Sequence, residues 1–164
     1  MSGGKRARAP AGLRLDIPGR GKLAVRELLV DLNGTLAVDG RIPGEVRRRL
    51  RRLASTLSVR VLTADTFGTA AAEVRGLPVR LERAGSGRAK ARLAAGLAPR
   101  GVVALGNGSN DAAMLRRAAL AIAVLGREGM AAELAAEADV VVCRVEDGLD
   151  LLLRPRRLVA TLRR

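Results

Sequence analysis

Leu28-Leu29-Val30-Asp31-Leu32-Asn33-Gly34-Thr35 sets an aliphatic run directly before a carboxylate, an amide, a glycine and a hydroxyl. Residues 23–31 read as a strand, so the polar group falls just past its carboxyl end. The same order recurs twice. The apolar run before Thr63-Ala64-Asp65 (strand 59–63) and the run 102–105 before Gly106-Asn107-Gly108-Ser109-Asn110-Asp111 each end in polar residues and glycine. Further strands are expected at 79–82, 120–125 and 140–143. Helices are expected at 43–55, 66–75, 87–97, from the 106–111 turn to about 118, at 130–137 and at 146–153. Short aliphatic strands separated by helices of about ten residues predict an α/β chain, with a mainly parallel, Rossmann-like sheet covered by helices on both faces. Ligands of such sheets bind outside the strands' carboxyl ends. The three polar stretches therefore converge on one edge.

Upstream, residues 13–17 alternate apolar and polar and 18–21 form a turn cluster, so the opening reads as a β-hairpin whose second strand continues to Asp31. Residues 1–12, rich in Gly, Pro, Lys and Arg, read as a basic arm, and 13–164 as one domain. The arm lacks the apolar stretch of about 7–15 residues of a signal peptide. No run approaches the roughly 18 apolar residues that cross a bilayer, so membrane insertion is not expected. Cys143 is the only cysteine and stands in the apolar run 140–143, where it reads as a buried core thiol. A reducing cytoplasm is the expected location. With no histidine in 164 residues, imidazole catalysis is excluded.

The composition is 48% hydrophobic with one aromatic, Phe67, and 30 basic against 16 acidic residues give a net charge of +14. An aliphatic core follows. All basic residues but Lys5, Lys22 and Lys90 are arginine, amid Ala, Gly, Val and Leu. That is the imprint of G+C-rich coding rather than of one selected surface. Arg47-Arg48-Arg49-Leu50-Arg51-Arg52 and the C-terminal arginines offer a nucleic acid no interleaved aromatics on which bases could stack, so nucleic-acid binding ranks last among the readings.

Asp31-Leu32-Asn33-Gly34-Thr35, Thr63-Ala64-Asp65, Lys90 and Gly106-Asn107-Gly108-Ser109-Asn110-Asp111 occur in the order of the four motifs of the haloacid dehalogenase superfamily. The chain resembles those phosphohydrolases, and within them the soluble relatives of the P-type ATPase catalytic domain. The resemblance runs from residue 28 to about 142. It implies Asp31 as the nucleophile that takes up a phosphoryl group, with Asn33, Thr63 and Lys90 as its catalytic neighbours. Gly34, Thr63, Ala64, Lys90 and Asn110 would cradle the phosphate. Mg²⁺ would be held by the Asp31 carboxylate, the Asn33 backbone carbonyl and the Asn107 side chain, with Asp111 in or just beyond that shell.

Two positions depart from the superfamily pattern. Its hydrolases carry Asp two residues after the nucleophile, as general acid and base, where this chain has Asn33; an amide exchanges no proton at neutral pH. Asn107 likewise replaces a metal-binding Asp. Slow turnover and a longer-lived phosphoenzyme are expected, with a non-enzymatic binding or regulatory descendant as the alternative. The segment between Asp31 and Thr63 holds a short flap and one helix, and that between Thr63 and Lys90 one helix and one strand. No cap domain fits. An uncapped site implies a macromolecular phosphorylated substrate, or a homo-oligomer in which a neighbour closes the cleft.

Overall fold

The computed structural model describes residues 10–65 and 68–164. Residues 1–9 of the basic arm, Phe67 and Thr66, the expected start of the second helix, lie outside the described residues.

The chain opens with β1 (Leu13–Ile17) and β2 (Gly21–Val25), an antiparallel hairpin in which Leu13 faces Val25 and Ile17 faces Gly21. The expected second strand does not run unbroken to Asp31. At Arg26 the N–H donates to the Gly101 carbonyl at 3.0 Å and the carbonyl accepts from Ser58 N at 2.8 Å, and β3 (Glu27–Asp31) begins a separate sheet. The cause is burial. The hairpin strands alternate buried and exposed residues, whereas every residue of β3 is buried, the mark of a central strand covered on both faces.

The main sheet has six parallel strands in the order β5-β4-β3-β6-β7-β8. Its other members are β4 (Ser58–Thr63), β5 (Arg80–Arg83), β6 (Val102–Gly106), β7 (Leu120–Val124) and β8 (Val140–Val142). Successive side chains along a strand point to opposite faces. Leu28 and Val30 therefore join one core with α1 (Gly44–Leu53), α6 (Val145–Leu153) and α7 (Pro155–Leu162), while Leu29 joins another with α3 (Gly87–Leu97), α4 (Ala112–Arg117) and α5 (Leu134–Glu137). These are the three expected layers. No domain is inserted between β3 and β4, and only α2 (Ala70–Glu73) stands between β4 and β5 among the described residues. No described helix is long and apolar enough to cross a membrane.

Several local expectations are corrected. Among the described residues, the second helix is the single turn of α2 where 68–75 were expected to continue it, and the helix expected at 130–137 shrinks to α5. The latter is delayed because Ala131 N donates to the Asn107 carbonyl at 2.8 Å, which draws the preceding residues into a turn at the strand ends. Cys143 is exposed rather than buried. β8 is an edge strand on which Val140 and Val142 face inward and Val141 outward, so Cys143 falls on the solvent phase just past its end. α7, beyond the last expected helix, starts on Pro155, whose fixed φ and missing N–H suit a first helical position. The basic run on α1 is partly engaged within the fold: Arg47 donates to the Glu73 and Arg75 carbonyls, and Arg49 pairs with Asp150.

From β3 the chain winds one way through β4 and β5, then returns to β6 and winds the other way. The carboxyl ends of β3 and β6 thus flank the switch point, where open α/β sheets bind ligands.

Candidate active site

Six polar or charged side chains are buried among the described residues: Glu27, Asp31, Thr35, Thr63, Lys90 and Asp111. All but Glu27 meet at the switch point. Burying charge is costly unless it is paired, and the pairing here is specific. Asp31 ends β3 and Lys90 projects from the first turns of α3. The Lys90 side chain is 1% exposed, and its Nζ lies 2.6 Å from Asp31 Oδ1 and 2.7 Å from Asp111 Oδ1. Asp111 directs its other oxygen to the backbone N–H groups of Asn107 and Gly108, both at 3.0 Å. Gly106 makes this possible, because a Cβ there would stand 2.5 Å from the Asp111 Cγ.

Two buried carboxylates facing one ammonium leave the site short of positive charge. Burial, followed by the charge of Asp111, pushes the Asp31 carboxyl up to about 6 against the opposing pull of Lys90. Burial works against the Lys90 charge as well, but Asp31 and Asp111 outweigh it and hold the ammonium above its usual range. Lys90 is therefore protonated throughout the neutral range, and ionised Asp31 has unmet demand for a cation.

The surrounding donors suit a hard cation. Besides the Asp31 carboxylate they are the Asn33 backbone carbonyl, which accepts no backbone hydrogen bond among the described residues, and Asn107 Oδ1. No group of three or more acidic, thiol or imidazole side chains clusters among the described residues. A few oxygens of this kind match Mg²⁺, which keeps several waters and takes remaining ligands from a substrate's phosphate. Asp111, with both oxygens engaged, stands behind that set and orients it.

Thr63 ends β4. Its hydroxyl oxygen accepts from Asp65 N at 2.9 Å, which leaves the hydroxyl hydrogen free to be donated. Asp65, in a left-handed conformation at φ +44°, accepts from the N–H of Ala70, the first residue of α2, at 3.2 Å. Asn33 and Ala64 are exposed at the mouth, on either side of buried Asp31 and Thr63. Asn110 donates to the Gly85 carbonyl at 3.1 Å, tying the entry of α3 to the turn after β6. Every candidate residue thus lies at the carboxyl ends of β3 and β4, on the turns after β3, β4 and β6, or on α3.

Thr35 and Glu128 join the site without any signal in the motifs themselves. The Thr35 hydroxyl donates to Asn107 Oδ1 at 3.0 Å, fixing the amide of that residue. Glu128 approaches Gly34 from the loop after β7. The glycines bracketing Arg127-Glu128 were the available signal for a tight turn carrying exposed charges at a strand end. A cleft of about 380 Å³ opens beside Asp31 rather than over it, between Thr35, Val38 and Val46 on one side and Arg127, Cys143 and Val145 on the other.

No protein-family model matches the chain. An uncharacterized protein of Methanocaldococcus jannaschii is 45% identical over 62 residues, 38% of this chain and 67% of the relative, and the two belong to one family. Among solved structures, the 3-deoxy-D-manno-octulosonate 8-phosphate phosphatase of Moraxella catarrhalis, with magnesium and phosphate bound, superposes with a TM-score of 0.67. It is 14% identical, with 85% of this chain and 94% of that chain covered. The Yersinia pestis phosphatase of the same name gives 0.63 at 19% identity, covering 91% and 96%. The catalytic domain of the CPx-ATPase CopB-B gives 0.56 at 22% identity, covering 67% of this chain and 44% of that one.

Proposed function

We propose that this chain, whose fold is that of the haloacid dehalogenase superfamily, is a divalent-cation-dependent phosphohydrolase working through Asp31. The observation that carries the reading is the Asp31–Lys90–Asp111 cluster, buried at the switch point of the sheet. Unlike the buried Glu27–Arg60 pair, this cluster stands where open α/β sheets bind ligands. Similarity to phosphatases that include a magnesium- and phosphate-bound one gives the reading its reaction class.

One Asp31 carboxylate oxygen attacks phosphorus in line, and the bond to the leaving oxygen breaks, giving an aspartyl phosphate. Lys90 offsets the charge that builds on Asp31 and the phosphoryl oxygens, and Thr63 donates its free hydroxyl hydrogen to one of them. The backbone N–H of Ala64 and the second amide hydrogen of Asn110 complete the anion cradle; Gly34, expected there too, is excluded because its N–H is already donated to the Ala37 carbonyl at 3.0 Å. Mg²⁺ held by Asp31, the Asn33 carbonyl and Asn107, with Asp111 behind them, would offset the repulsion between carboxylate and phosphate. Water then attacks the phosphoenzyme, releasing phosphate and regenerating Asp31. Asn33 can orient the leaving group or that water but cannot pass a proton, so good leaving groups such as the carboxylate of an acyl phosphate or nitrophenolate are favoured. The uncapped edge leaves room for a large phosphorylated substrate.

The competing reading is a binding protein that keeps the fold without turnover, suggested by the amides at 33 and 107. Release of phosphate from p-nitrophenyl phosphate, with and without Mg²⁺, separates the two. The phosphohydrolase reading expects release that requires Mg²⁺ and is lost in Asp31→Asn; equal rates in both proteins would sink it.

A further inference from the structure

Asn107 does more than stand in for a carboxylate. While its oxygen accepts from Thr35, its Nδ2 donates to the Gly129 carbonyl at 3.1 Å, and its own carbonyl accepts from Ala131. Aspartate could not make the middle contact, since it would face the Gly129 carbonyl with a second acceptor. The amide thereby draws the Gly126-Arg127-Glu128-Gly129 turn over the residues that follow β3. Both glycines adopt left-handed backbone, φ +62° and +82°.

This turn brings Glu128 to the site. A Cβ on Gly34 would lie 2.6 Å from Asn107 Nδ2, 3.0 Å from Glu128 Oε2 and 3.1 Å from Asn107 Oδ1. Glu128 and Asn107 therefore share the small space above Gly34, next to the Asn33 carbonyl. In a chain with 30 basic and 16 acidic residues, most carboxylates near an arginine are paired with it, as Glu82, Glu137, Asp139 and Asp150 are. Glu128 adjoins Arg127 in sequence, yet its carboxylate joins none of the ion pairs among the described residues.

We infer that Glu128 supplies the negative charge that the amides at 33 and 107 withhold from the divalent cation. The inference rests on the phosphohydrolase reading and adds to it a residue from a fourth strand end. Asn107 gives up one charge to anchor the turn, and the anchored turn returns one. Because Glu128 does not cluster with Asp31 and Asp111 as a direct ligand group, it would support the ion from outside the ligand set, where such groups commonly change metal affinity by about 10- to 100-fold.

The test is calorimetric titration of Mn²⁺ or Mg²⁺ into the full chain without substrate. Glu128→Gln should weaken binding about tenfold or more and leave the metal-free melting temperature unchanged. Asp16→Asn on the hairpin, the same loss of one charge at the far end of the sheet, should leave binding as in the wild type. Wild-type affinity in Glu128→Gln, with binding lost in Asp31→Asn, would overturn the role of Glu128 and leave the phosphohydrolase reading standing. Absence of binding by the wild type would overturn both.

Discussion

Lys90 and Asp31 meet at 2.6 Å between ammonium nitrogen and carboxylate oxygen, in a position where the lysine is 1% exposed. The same nitrogen reaches Asp111 at 2.7 Å, so one cation holds two carboxylates that would otherwise repel each other. Lys90→Met should therefore act twice. Leaving buried charges uncompensated should lower stability by about 3–5 kcal/mol, as broken buried pairs do, measurable by urea unfolding near pH 7.5. Phosphate release should fall about 100- to 1,000-fold, the usual loss for one donor aimed at developing charge. A variant as stable and as active as the wild type would contradict this account of the cluster.

Asp31 links the site to pH. Its carboxyl is raised to about 6 from an ordinary 3.8, so the folded chain binds this proton more tightly than the unfolded one. Stability from this group is full below about pH 4 and is lost as pH rises through about 6, a difference of about 3 kcal/mol. In metal-free protein, Asp31→Asn should match the wild type near pH 4 and melt several degrees higher at pH 7.5, and Mg²⁺ should narrow the gap. A variant less stable than the wild type at pH 7.5 would show that Asp31 is instead held comfortably ionised.

Asn33 can be given back its missing proton chemistry. In Asn33→Asp a carboxyl at the mouth of the site could protonate a leaving oxygen and activate water, an effect typically worth about 10²- to 10⁴-fold. The gain should be large for phenyl phosphate, whose leaving group needs the proton, and small for p-nitrophenyl phosphate. Comparing kcat/KM on the two esters checks it; equal gains would mean that proton transfer is not what position 33 withholds.

The opposite end of the sheet provides the structural control. Glu27, fully buried, pairs with Arg60 at 3.0 Å and Arg100 at 2.8 Å, and Arg60 reaches on to Glu82. Arg60→Met should lower stability by about 3 kcal/mol while phosphate release at a permissive temperature stays at the wild-type level. Lost activity in a folded variant would place this network inside the catalytic unit.

Asp31, Thr63, Lys90 and Asp111 were legible in the sequence because each is a polar residue at the end of an aliphatic run or on the following helix, and parallel sheets gather such positions on one edge. The strands were equally plain, since central parallel strands are continuous apolar runs. What escaped depends on loop conformation. Thr35 matters only because the turn after Asp31 points its hydroxyl at Asn107. Glu128 matters only because Asn107 pulls a turn from a distant strand end across Gly34. A second bond of Asn107, its carbonyl accepting from Ala131 N, delays the helix expected at 130–137. Cys143 was misread because an edge strand alternates where a central one does not, and no local pattern says which strand lies at the edge.

A phosphoryl group carried by Asp31 can be trapped on that side chain. Protein mixed with Mg²⁺ and acetyl phosphate, acid-quenched during turnover and digested, should yield an Asp31 peptide heavier by one phosphoryl group, labile to hydroxylamine and absent from Asp31→Asn. With Asn33 unable to speed its hydrolysis by proton transfer, that species should accumulate. Phosphate release without a modified Asp31 peptide, or with the same modification surviving in Asp31→Asn, would contradict the account.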